Sequence, residues 1–86
     1  MADLRVYDHT FKYHRKGGNE VVFEMHDYDD GGSVEYYGYV NEAGAWIIKK
    51  HDSTAKTFRF AAGQSDYSTN WGNRASLSYD YLYNLL

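Results

Sequence analysis

Stretches of alternating apolar and polar residues, each closed by a break rich in Gly, Asn, Asp or Ser, limit this chain to a strand-and-turn fold. Phe11, Tyr13 and Arg15 alternate with Lys12 and His14. Lys16-Gly17-Gly18-Asn19 follows, a turn whose glycines are free to take positive φ. From Glu20 to His26, Val21, Phe23 and Met25 fall on one face, and Glu20, Val22, Glu24 and His26 fall on the other. These two stretches predict a hairpin. Residues Leu4 to Val6 predict a short strand or an ordered arm ahead of it.

Asp27 to Ser33, DYDDGGS, predicts a polar loop, and Val34 to Val40 a third strand. Asn41-Glu42-Ala43-Gly44 closes a second hairpin, with Gly44 at the left-handed position of a bulged turn. Ala45 to Lys50 predicts the fourth strand. Trp46 and Ile48 share one of its faces and Ala45 and Ile47 the other, as in a central strand covered on both sides. After a loop from His51 to Lys56, Thr57 to Ala61 predicts a fifth strand, with Phe58 and Phe60 inward and Arg59 outward. Gly63-Gln64-Ser65 breaks it. Ser65 or Asp66 then caps a short helix running to about Asn73, which turns Trp71 onto the sheet. The fold class expected is mainly β: one domain over residues 1–86, a small antiparallel sheet or open barrel of about five strands with one short helix near Trp71. The expected core is Phe23, Trp46, Ile48, Phe58 and Trp71.

The chain has 86 residues and no Cys or Pro. No disulfide staples it, a Cys-based zinc site is excluded, and its turns depend on Gly, Asn, Asp and Ser. A domain this small buries only roughly 60% of the surface exposed by its unfolded chain. The first residues, MADLRVYDHT, lack the apolar stretch of a secretory signal, and no run of about 18 apolar residues predicts a membrane span. The formal net charge of −3 argues against a dedicated nucleic-acid binder, because phosphate neutralisation needs clustered Lys and Arg. The 10 tyrosines exceed what one small core holds, so several are expected at the surface, where tyrosine serves contact well.

Motifs for chemistry are lacking. Asp27, Asp29 and Asp30 suggest a calcium loop, but Gly31 and Gly38 stand where an EF-hand needs ligands. His9, His14, His26 and His51 show no helical i, i+4 spacing, although a hairpin folded at Gly17-Gly18 makes His14 and His26 candidate cross-strand neighbours. No serine has nucleophile-elbow glycines around it, and Glu20 and Glu24 fit the wet face of a strand. No cofactor, metal dependence or catalysis is expected. In DYSTNWGNRAS, Arg74 is suited to bidentate bonding with a carboxylate such as Asp66, so that Asp66, Trp71 and Arg74 lock the helix to the sheet.

The final segment, LSYDYLYNLL, fits two periods. Leu77, Tyr79, Tyr81 and Tyr83 fit a strand, whereas Leu82, Leu85 and Leu86 fit a helical turn; an extended segment is expected. Its apolar side chains, Tyr79, Tyr81, Leu82, Tyr83, Leu85 and Leu86, are the candidate protein interface.

From Gly38 to Tyr79, about half of the chain, GYVNEAGAWII and TFRFAAGQSDYSTNWGNRASLSY resemble small virion-associated proteins of tailed bacteriophages. In these, strands with a Trp-Ile pair precede a segment ending W-x-N-R-A-S-L-x-Y. The resemblance implies a structural or host-contact role on the virion, in tail, fibre, baseplate or capsid, with other virion proteins or further copies of the chain as partners. It brings no catalytic residues. The alternatives are a glycan-binding module of a phage fibre and a small phage inhibitor of a host protein.

Overall fold

The computed structural model describes residues 10–14, 18 and 20–85, with His14 described by its backbone alone. The expected arm at Leu4 to Val6, and with it Arg15 and Leu86, lies outside these residues. Five antiparallel strands follow one another in sequence order: β1 (Thr10–His14), β2 (Glu20–Asp29), β3 (Val34–Val40), β4 (Trp46–Asp52) and β5 (Thr57–Gly63). The sheet curls into a half-barrel. Helix α1 (Tyr67–Gly72) and two 3-10 turns, Arg74–Ser76 and Leu82–Asn84, complete the described chain. The mainly β class and the helix near Trp71 are as the sequence predicts.

Turn chemistry sets the register. Gly44 has φ +90 and Gly18 φ +99, conformations that favour glycine. Asn41 Oδ1 accepts the amide N–H groups of Ala43 and Ala45 at 3.0 Å each, which fixes the β3–β4 turn and pairs Val40 with Trp46. Between β4 and β5, Asp52 Oδ1 accepts the amides of Thr54 and Ala55, and Lys56 takes the left-handed conformation with φ 59.

Strand alternation gives the sheet two covered faces. On the inner face Phe23, Tyr39 and Ile47 are buried among Phe11, Tyr13, Val21, Met25, Tyr37, Ala45 and Phe60. Curling brings Phe11 of β1 within 6.0 Å of Phe60 of β5, ring centroid to centroid, although these strands lie at opposite ends of the sheet order. On the outer face Trp46, Ile48 and Ala61 are buried beneath Tyr67, Trp71, Leu77 and Tyr79. The face pattern expected for β4 therefore holds.

Several expectations are corrected. Strand β2 runs on through Asp27 to Asp29, where a loop was expected, because a bulge at His26 re-registers it against β3 and places both carboxylates on the outer face under bonding groups. His51 and Asp52 continue β4 rather than starting a loop. His14 pairs with Glu20, so the backbone register does not make it a neighbour of His26. Phe58 points to the inner side but sits near the end of β5, at the rim, and is 52% exposed. Trp71 is half-buried, as a lid residue rather than a core residue. Phe23, Trp46 and Ile48 are buried as expected.

Candidate contact surface

The segment after β5 is too short to be stable alone, and its placement depends on bonds to the sheet. Helix α1 has six residues, and its N-cap Asp66 adopts φ 63 with no side-chain cap bond. Instead the Asp66 carbonyl accepts both the Asn70 amide and the Asn70 side chain, at 3.1 and 2.9 Å. Tyr67 crosses to β2, donating its hydroxyl to Asp27 at 2.8 Å. Arg74 bonds Asp29 through Nη2 and Nε at 2.8 and 3.2 Å, donates to the Trp71 carbonyl, and packs over the Trp71 ring at 4.6 Å. Arg74 thus finds its carboxylate 45 residues away rather than at Asp66. Asp66 is turned towards Ser65 by its left-handed backbone.

Beyond this latch the chain returns along β5. Tyr79 packs against Tyr36 and donates its hydroxyl to the Arg74 carbonyl at 2.7 Å. Asp80 then forms an antiparallel bridge with Phe60, the two amide-to-carbonyl bonds measuring 2.7 and 2.8 Å. The extended expectation holds at this bridge, whereas Leu82–Asn84 form a 3-10 turn. Arg59 wraps the edge of β5. Its Nη1 donates to the Phe58 carbonyl at 2.8 Å, and the guanidinium lies 4.2 Å from the centroid of the Tyr81 ring. Tyr81 stacks on Tyr83 at 5.3 Å, and Tyr83 is 74% exposed. The result is a protruding stack of guanidinium and two phenol rings.

Three groups have shifted titration. The Arg74 guanidinium, donating two N–H groups to Oδ2 of Asp29, and the Gly31 amide, donating to Oδ1, hold the Asp29 carboxyl below the usual carboxylate range. Burial, with the Asp27 carboxylate beside it, pushes the Tyr67 hydroxyl well above the tyrosine range; burial, with Tyr36 nearby, does the same to Tyr79. The stabilisation at Asp29 is present above the ordinary carboxyl pKa of about 3.9 and fades as pH falls through the lowered folded value. That of the two tyrosines is intact below the ordinary value of about 10 and fades as pH rises through their raised values. Ultraviolet titration should therefore show Tyr67 and Tyr79 ionising together with the loss of near-ultraviolet circular dichroism. Free ionisation of every tyrosine in the intact fold would disprove their burial.

Of the candidate interface residues, Tyr81 and Tyr83 are exposed, Leu82 and Leu85 are half-buried, and Leu86 lies outside the described residues. Tyr79 belongs to the chain's own outer cluster. The sequence reading missed Arg59 as part of this surface. Its outward position opposite Lys50 was the available signal, but the tail that covers it has no local pattern. The arrangement suits contact through ring faces and a guanidinium. Among the described residues no group of three or more His, Asp or Glu is placed to hold a metal ion, and no helix is long and apolar enough to cross a membrane. Set against known family models, characterised proteins and solved structures, the chain gives no match.

Proposed function

We propose that this chain works by surface contact rather than by catalysis, as a structural component of a tailed-phage virion. The observation that carries the contact reading is the Arg59–Tyr81–Tyr83 stack. An 86-residue chain with aromatic clusters on both sheet faces still leaves two stacked rings exposed, with the half-buried Arg59 guanidinium packed against them. Tyr and Arg are the residue types that dominate contact energy at interfaces. The assignment to a virion rests on the resemblance of residues 38–79 to small phage particle proteins.

Mass spectrometry of purified particles from a phage that encodes the chain tests this reading. Wild type is expected in the particle, and Arg59→Gln/Tyr83→Ala is expected to be depleted from it while remaining folded. Absence of the wild-type chain from particles would favour the inhibitor alternative. Retention of the variant at wild-type level would remove the stack from the contact. Selective binding on a glycan array, abolished by Tyr83→Ala, would instead favour the host-recognition alternative.

A further inference from the structure

Charge on the outer face of the sheet is divided between its two sides. At the β5 side, Lys50 and Arg59 are directly opposed cross-strand partners. Like charges so placed repel. Each lies over a tyrosine ring, Lys50 at 5.2 Å from Tyr79 and Arg59 at 4.2 Å from Tyr81, and neither forms an ion pair among the described residues. The nearby acids make no direct ion pair with them: Asp52 and Asp80 use their Oδ1 atoms to accept backbone amides of Thr54, Ala55 and Tyr81.

The β2 side is the converse. An open depression of about 480 Å³ is lined by Glu20, Val22, Glu24, His26, Val40 and Glu42, among others. Val22, one of the residues that line it, is 41% exposed, a β-branched side chain left in water. Glu20, Glu24 and Glu42 form no ion pair or hydrogen bond among the described residues, even though Lys12 stands across from Val22. One side thus carries a cationic, aromatic protrusion and the other a partly apolar hollow with an acidic rim. Among the described residues, neither set of like charges is ion-paired.

We propose that these two surfaces bind each other between copies of this chain. The Arg59–Tyr81–Tyr83 stack of one copy enters the Glu20–Val22–Glu24 hollow of the next, placing guanidinium and ammonium groups against the carboxylate rim and phenol rings against Val22 and Val40. The inference deepens the contact reading above by naming the partner as a second copy. The two surfaces differ, so the contact is head-to-tail: it leaves one free protrusion and one free hollow, and it closes into a ring or extends as a filament.

Two full-length variants test it. Arg59→Gln/Tyr83→Ala disables the protrusion, and Glu24→Lys disables the hollow. Circular dichroism and thermal melting establish that both fold. In analytical ultracentrifugation, wild type is expected to associate with rising concentration, and each variant alone is expected to sediment as a monomer. Mixed together, the variants should form a species that stops at two chains, because one intact protrusion meets one intact hollow. Raising ionic strength from about 0.1 to about 1 M shortens the screening length from about 10 to about 3 Å and should weaken wild-type association. A wild type that stays monomeric at the highest soluble concentration overturns the proposal, as does a mixture that stays monomeric or a variant that associates as wild type does. Particle incorporation without self-association would overturn this inference and leave the contact reading standing.

Discussion

Trp46→Ala is expected to destabilise the protein by roughly 3–5 kcal/mol, the range for large aromatic truncations in packed cores. Trp46 is 5% exposed, and its indole N–H donates to the Ser65 carbonyl at 2.6 Å. It also roofs its cross-strand partner Gly63, where an added Cβ would meet ring atoms at 2.5 to 2.8 Å. The loss therefore combines a cavity with an unpaired carbonyl at the start of the segment that carries α1. At roughly 0.05–0.15 kcal/mol per residue, a domain of this length holds about 4–13 kcal/mol in all, so the substitution should remove from about a quarter of the stability to all of it. Urea denaturation measures the effect. Trp46→Phe, which keeps most of the burial, should lose less. A cost under about 1 kcal/mol for the alanine variant would remove Trp46 from the core.

Gly38→Ala is expected to produce the second large effect, from the opposite cause. A Cβ at Gly38 on the outer face of β3 would collide with the Tyr67 hydroxyl and approach Tyr67 Cζ at 2.9 Å and Trp71 Cε3 at 3.0 Å. Overpacking of this kind costs about 1–3 kcal/mol. Relief by moving α1 outward would also break the bond from Tyr67 to Asp27. Gly32→Ala is the control, since a Cβ there meets nothing within 4 Å. Tyr67→Phe removes the nearest colliding atom, so it should cost less in the Gly38→Ala background than in wild type. Thermal melting of the four variants gives that coupling. Equal melting temperatures for Gly38→Ala and Gly32→Ala would show that α1 does not press on β3.

What could be read from the sequence was what local chemistry determines. Asn41 and Gly44 specify their turn through a side-chain bond pair and a positive φ, and the alternation of Trp46, Ile47 and Ile48 assigns both faces of β4. Contacts between distant segments were not legible. Arg74 had a nearby carboxylate in Asp66, and nothing in the local pattern reveals that Asp66 takes a left-handed backbone while Asp29 lies across the sheet. Asp27 and Asp29 read as loop residues, and no local pattern reveals the bulge at His26 that carries them onto the outer face, where a single extra residue exchanges the two sides of a strand. Phe58 was assigned to the correct side, yet alternation does not indicate where a sheet ends, and at the rim an inward ring remains half in water. Of the candidate interface residues, the exposure of Tyr81 and Tyr83 was legible. Arg59 joins them through the Asp80–Phe60 bridge, which pairs residues 20 apart in sequence.

The unbroken order β1-β2-β3-β4-β5 also bears on how the chain acquires its structure. Each strand pairs with the one synthesised just before it, so every pairing closes a short loop and sheet growth never waits for distant segments to meet. The latch is different. Tyr67 and Arg74 have no carboxylates to bind until the β2–β3 pairing has carried Asp27 and Asp29 to the outer face, and a six-residue helix does not persist without them. The dependence thus runs one way: the closing segment is a receiver whose bonds require the bulge at His26, whereas the strand pairings require nothing from it. A chain that pairs β2 and β3 one residue out of register presents Tyr28 in place of the two aspartates, and its closing segment finds nothing to hold.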